Sequence, residues 1–267
     1  MGAGPDARGG VGRPGPAGLQ PGGGPGTDYH DGVIDRFGRG FTVVVGAATA
    51  LVLVALAIVP FLNPVWVGFE QQRSGALEAT GYSASELAAA TGAILGDLVF
   101  GPPDFDVEVG GEPVLTMRER GHMADVRGVF GGFAVAALVA AAALLVAWWT
   151  AGRRDGGRRA FWRAAGLGGR ALAIGVVLVG GVALVAFDAL FEVFHRLLFA
   201  GGSFTFDPTS ERLVQLFPFQ FWFDTAIAVG VVILLIALAT AVLARRRAAA
   251  GAADARPATS AALEGAR

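Results

Sequence analysis

FTVVVGAATALVLVALAIVPFL, residues 41–62, is the stretch on which the fold turns. It carries no charge over 22 positions, and an α-helix rising about 1.5 Å per residue needs about 20 such residues to cross roughly 30 Å of hydrocarbon. Three more runs approach or exceed that length, at 129–149, 171 to about 190, and about 223–244. All four are continuous and rich in Leu, Ala and Val, without the alternation of a barrel strand, so each reads as a helix. The first begins too deep in the chain and is too long for a cleaved leader, and no small-residue cleavage site follows it. The expected fold is therefore an all-α membrane protein with four transmembrane helices.

Composition agrees. The chain is 54% hydrophobic and 16% charged, with a mean hydropathy of +0.56, too apolar for a soluble domain of 267 residues. It contains no cysteine, which removes disulfides, thiolate metal sites and cysteine nucleophiles together. A net charge of −1 gives no footprint for nucleic acid, and none is expected as a partner. Oligomeric state is not legible.

Arginine sets the orientation. Between the second and third runs stand Arg153, Arg154, Arg158, Arg159, Arg163 and Arg170 against one acid, Asp155, and Arg245, Arg246 and Arg247 close the fourth. Loops enriched in this way face the cytoplasm. Arg36 and Arg39, ahead of the first run, agree. The expected layout is a cytoplasmic tail at 1–35, a four-helix membrane domain at 36–247, and a second cytoplasmic tail at 248–267. Both tails are Gly-, Pro- or Ala-rich without apolar periodicity and are expected to be structureless. Segments 63–128 and 191–222 then face outward, the first forming an extracytoplasmic helical subdomain.

In that first segment Ser83 with Glu86 three residues on is a capping box, and Leu87, Ile94, Leu95 and Leu98 predict an amphipathic helix over 84–99, stopped by Gly101-Pro102-Pro103. From Leu115 the pattern turns helical again and runs into the second span, which puts Arg118, His122 and Asp125 within one another's reach. His195 lies just past the third span. The chain has three histidines; His30 is in the Gly/Pro-rich tail, and the other two are expected on the same outer face. Imidazole suits proton transfer near neutral pH, so this pair is the candidate catalytic centre. Asp188, Glu192 and His195 are spaced i, i+4 and i+7, one helical face, and a carboxylate at the depth of Asp188 is expected to turn into the bundle, as site residue or structural ion pair.

Several reaction classes are absent from the motifs. There is no G-x-S-x-G elbow, Ser203 lacks the strand-to-helix context of one, and there is no H-E-x-x-H. Two bases without an evident nucleophile fit proton-transfer catalysis on a substrate that brings its own. No cofactor or metal is expected on this reading. Two others stay open: a non-catalytic membrane scaffold, and a metal-dependent hydrolase using His122, His195 and one of Asp125, Asp188 or Glu192.

H-M-A-D-V at 122–126, F-H at 194–195, F-D-P at 206–208 and L-F-P at 216–218, followed by Phe221-Trp222 entering the last span, resemble the bacterial integral membrane family that includes the lipoprotein intramolecular transacylase. The resemblance covers about residues 40–245. It differs in the stretch Ala200-Gly201-Gly202-Ser203, where the family carries more polar and aromatic residues. The resemblance implies an acyltransferase moving the sn-2 acyl chain of a diacylglyceryl-modified N-terminal cysteine to the α-amine of the same lipoprotein, giving the lyso-form. It implies membrane lipid and such lipoproteins as partners, and His122 and His195 as the catalytic residues. The expected roles are His195 as base and His122, held by Asp125, as oxyanion or leaving-group partner, with Arg118, Asp188, Glu192 and Asp207 in support.

Overall fold

The computed structural model describes residues 25–199 and 204–253. The chain divides at Arg39 into a short N-terminal unit, of which the start of α1 is described, and a main unit from Gly40 onward. The elements run α1 (Pro25–Ile58), a 3-10 turn (Val59–Phe61), α2 (Pro64–Arg73), α3 (Ala76–Thr80), α4 (Ala84–Val99), β1 (Glu108–Val109), β2 (Glu112–Pro113), α5 (Met117–Ala151), α6 (Gly157–Leu198), α7 (Arg212–Leu216) and α8 (Phe219–Ala253).

Four of these helices are long and apolar enough to cross a membrane, within Gly38–Phe61, Met117–Ala151, Gly157–Leu198 and Phe219–Ala250. The fold is an all-α, multi-pass membrane protein. α5, α6 and α8 exceed their apolar runs at both ends and α1 at its start, because a helix continues into polar sequence wherever capping and packing support it. For the same reason α1 begins at Pro25, inside the stretch expected to lack structure, and α8 runs on to Ala253, past the expected boundary at 248.

Small residues let the helices meet. Gly168 of α6 lies against Gly46 of α1 so closely that a Cβ there would stand 2.2 Å from the Gly46 carbonyl oxygen, and one on Gly169 would stand 2.9 Å from the carbonyl of Ala237 in α8. The pairing of α6 with α8 is the most extensive in the molecule. Bundles in lipid hold together through such close backbone approach, since lipid is as apolar as leucine.

The segments at the histidine end pack around a buried cluster of their own. Ser83 caps α4 with the expected capping box, and α4 spans the predicted 84–99. Asn63, followed by Pro64, caps α2 by accepting from the Val65 and Trp66 amides at 2.9 and 3.1 Å. Gly110 and Gly111, both at positive φ, turn the short antiparallel hairpin β1–β2. Val67, Leu87, Ile94, Phe105, Leu115 and Leu216 are buried together, so α7 and the start of α8 complete a core begun between the first two spans. Sequence had left those two segments separate.

Buried polar groups tie this body together. Gln71, fully buried, donates to the Leu216 carbonyl at 3.0 Å and accepts from the Thr91 hydroxyl at 2.8 Å. Glu119, also fully buried, accepts from the amides of Thr116 at 2.7 Å and Leu213 at 2.6 Å. A single carboxyl group thus caps α5 and pins α7 to it. Glu70 of α2 is buried beside Arg73, 3.4 Å away, and burial raises its carboxyl above the usual range.

Candidate active site

His122 sits in the second turn of α5 and His195 in the last turn of α6. The two rings stack with centroids 6.1 Å apart and planes 24° from parallel. They are 6% and 9% exposed, unusual burial for a pair of imidazoles. The structure therefore brings together the two residues that sequence singled out.

Phenylalanines form the surround. Phe199 and Phe206 lie edge-on to His122 at 4.8 and 5.4 Å. Phe191, Phe199 and Phe204 flank His195 at 4.1, 5.5 and 5.3 Å. Phe199 touches both imidazoles and sets their separation.

Each ring nitrogen has a distinct situation. His195 Nδ1 is 2.7 Å from the Phe191 carbonyl, one helical turn back. A carbonyl can only accept, so Nδ1 carries the proton and Nε2 of the neutral ring holds the basic lone pair. His122 Nδ1 is buried with no hydrogen-bond partner. A proton there would be a buried unmatched donor, so the neutral ring favours the tautomer with its proton on Nε2. One ring offers an acceptor at Nε2 and the other a donor.

Arg118 stands at the rim. It donates to the Thr205 carbonyl at 2.9 Å, pairs with Glu211, and lays its guanidinium 4.8 Å over the Phe206 ring that packs on His122. Glu211 also accepts the Asp207 amide at 2.6 Å. Arg118 and the Asp207 backbone amide hold its carboxyl below the usual range. Asp207 itself accepts from the Thr209 amide and hydroxyl at 2.8 and 2.7 Å, and so shapes the loop entering α7. Asp207 makes no hydrogen bond to either histidine.

Three expectations require correction. Asp125 is exposed and makes no hydrogen bond to His122, whose Nδ1 is left unmatched. Asp188 and Glu192 do not turn into the bundle: both are exposed, and Glu192 pairs with Arg196 at 2.5 Å. The inward row of α6 is Phe187, Phe191 and His195, with Phe187 packed on Phe219 and Phe223 of α8 and Phe191 on Trp222. Asp188 and Glu192 follow that row by one residue, about 100° around the helix. The aromatic side chains won the interior.

Sequence reasoning passed over Phe191, Phe199 and Phe204, and also Glu119 and Glu211. The signal for Glu119 was present, since Thr116-Met117-Arg118-Glu119 reads as a capping box. Ser203 and the side chain of His30 lie outside the described residues. Among the described residues no three His, Asp or Glu side chains are grouped as a metal site.

Four apolar spanning helices with a buried histidine pair at one end define a polytopic α-helical membrane protein with a candidate site of general acid–base type. Residues 43–222, more than half of the chain, match the family model for the lipoprotein intramolecular transacylase Lit, and the chain belongs to that family; it is a transacylase-like membrane enzyme. Its fold is similar to the membrane integral lipoprotein intramolecular transacylase Lit from Bacillus cereus, at 17% identity and TM-score 0.65 over 80% of this chain and 96% of that one. Variants of the same Bacillus cereus protein with one histidine changed to arginine or to alanine align at 19% and 20% identity, with TM-scores of 0.61 and 0.58. They cover 83% and 82% of this chain and 95% and 96% of those chains. No curated protein matches the sequence significantly.

Proposed function

We propose that this enzyme transfers the sn-2 acyl chain of a diacylglyceryl-modified N-terminal cysteine to the α-amino group of that cysteine, yielding a lyso-form lipoprotein, with His195 and His122 as its acid–base pair. The observation that carries the reading is the stacked histidine pair inside the phenylalanine surround, with opposite hydrogen-bonding capacity at the two Nε2 atoms.

The substrate supplies both reactants. Its α-amine nitrogen attacks the sn-2 ester carbonyl carbon, and a new C–N bond forms. His195 Nε2 takes a proton from the amine and, as imidazolium, returns it to the glycerol oxygen as that oxygen departs, while His122 Nε2–H keeps its proton and hydrogen-bonds the oxygen that gains charge. The C–O ester bond breaks, leaving an amide on the cysteine and a free hydroxyl on glycerol. Because both groups belong to one molecule, holding them in attack geometry contributes roughly 7–11 kcal/mol. Arg118 anchors the 205–211 loop against Phe206 and so positions the wall of the site.

The arginine distribution supports a site at the outer leaflet with both termini cytoplasmic. Tandem mass spectrometry of lipoprotein N-termini from cells with and without this protein tests the reading. N-acyl, lyso-glyceryl cysteine is expected only with it. Unchanged diacylglyceryl cysteine in both would refute the reaction.

A further inference from the structure

At the far end of α6 from the histidines, a cavity of about 260 Å³ opens between α6 and α8. Arg159, Arg163 and Arg170 of α6 and Arg245 of α8 line it together with Trp162, and no acid does. Its floor is glycine and alanine, where a Cβ on Gly166 would touch that of Ala244 at 3.0 Å. Like charges converging on one concavity repel one another unless an anion joins them.

These arginines differ from their neighbours. Arg153 and Arg158 are laid over Trp149 and Trp148 at 3.0 and 4.4 Å. None of the four lining the cavity has an ion pair or hydrogen bond among the described residues, and the Arg159 Nε–H is buried without an acceptor. A topogenic role requires positive charge on this side of the membrane. It does not require that four guanidinium groups share a hollow, nor that one of their donors be buried unmatched.

Depth identifies the class of ligand. α6 bends at Ala186, where the backbone leaves helical φ/ψ, so the roughly 48 Å of a straight helix is an upper bound on the height from Arg163 to His195, still on the scale of the roughly 40–45 Å of a bilayer with its headgroups. The cavity thus stands at the headgroup level of the leaflet opposite the histidines. Toward the membrane interior α6 exposes Ile174, Val177 and Leu178, an apolar wall for acyl chains. We propose that this cavity binds the phosphate of an anionic phospholipid headgroup, its oxygens taken by the guanidinium forks and its glycerol lying against Trp162. Soluble phosphate compounds share the chemistry, but they have no use for the apolar wall.

The full chain, purified and delipidated in neutral detergent, is titrated with dioleoylphosphatidylglycerol, with dioleoylphosphatidylcholine and with inorganic phosphate. The shift in thermal unfolding and the lipid retained in native mass spectra are read. Phosphatidylglycerol is expected to bind in preference to phosphatidylcholine. Arg159→Gln with Arg163→Gln should weaken it about tenfold or more, as two arginine contacts are lost. Arg153→Gln with Arg154→Gln, the same change in charge outside the cavity, should leave it unchanged. Arg159→Lys keeps the charge and should still lose affinity, which guards against a pair of glutamines that misfolds. Equal loss in the cavity pair and the control pair, or no loss in either, would overturn the proposal. Phosphate binding with the same variant dependence while the two lipids bind alike would overturn the lipid and assign the cavity to a soluble phosphate. Binding is read without acyl transfer, so the outcome is separate from that of the histidine reading.

Discussion

Replacing His195 by alanine removes the ring whose Nδ1 is fixed on Phe191 and whose Nε2 is the proposed base. General-base catalysis contributes about 10²–10⁴ in rate, or roughly 3–5 kcal/mol at about 1.4 kcal/mol per tenfold. The structural cost is one hydrogen bond worth about 1 kcal/mol and a cavity among Phe191, Phe199 and Phe204 worth about 2 kcal/mol more, at the last turn of a helix that packs on α8. The variant is therefore expected to insert and fold yet to be slowed 10²–10⁴-fold, by the same estimate. His195→Phe separates chemistry from packing, because it refills the aromatic surround without supplying a nitrogen, and it should be as slow as the alanine variant. The double variant with His122→Ala should be little worse than the slower single, since residues acting as a unit do not add. Substrate and product have the same mass, so the assay is chromatography with tandem fragmentation of a diacylglyceryl-cysteine peptide. Near wild-type turnover by His195→Phe, or rate losses that multiply in the double variant, would refute the acid–base pair.

Glu119→Ala strips the buried Leu213 amide and the Thr116 amide of their acceptor and should destabilise the protein by about 1–3 kcal/mol, read as a lowered unfolding temperature in detergent. Gly168→Ala drives a Cβ into the Gly46 carbonyl, which cannot yield as a side chain would; a cost of about 1–3 kcal/mol is expected in the same measurement. Glu211 has its carboxyl lowered by Arg118, so its contribution is present above the unfolded value near 4.3 and is lost as pH falls through the lower folded value. The stability gap between wild type and Glu211→Gln should accordingly be full at neutral pH and close below about pH 4; a gap unchanged into acid would show the pairing to be incidental. Single cysteines at Ser85 and Asp155 should react with an impermeant reagent from opposite sides, Ser85 from outside. Labelling of Asp155 from outside would invert the orientation.

The four spans were legible because hydrophobic runs of this length have few alternatives, and α4 was legible because a capping box and an apolar stripe agreed on its limits. The short pieces α2, α3 and α7 were not, since each is defined by tertiary partners such as Gln71 on Leu216 and Glu119 on Leu213 rather than by its own periodicity. The histidine pair was legible by elimination, there being so few candidates. Two of the expected supporting residues were misread because spacing reports which residues share a face, not which face is buried. Asp188 and Glu192 share an exposed one, while the phenylalanine row beside them takes the contact with α8. A charged residue near a membrane boundary has water within reach, and that escape left Asp188 free of the obligation to turn inward.

His122 precedes the second apolar run by seven residues and His195 follows the third by five. At the helical rise these offsets are about 10 and 8 Å, which puts both imidazoles at a similar height beyond the hydrocarbon, on the scale of the headgroup layer. On the proposed reaction the fatty tail is then a passenger. Its carboxyl end changes hands between two neighbouring atoms at the waterline, and the remainder stays dissolved among the other tails throughout. A protein arranged in this way has no need of a tunnel for its cargo. Which chains are moved is decided by what the membrane offers, and the helices are required to recognise only the knot at the top.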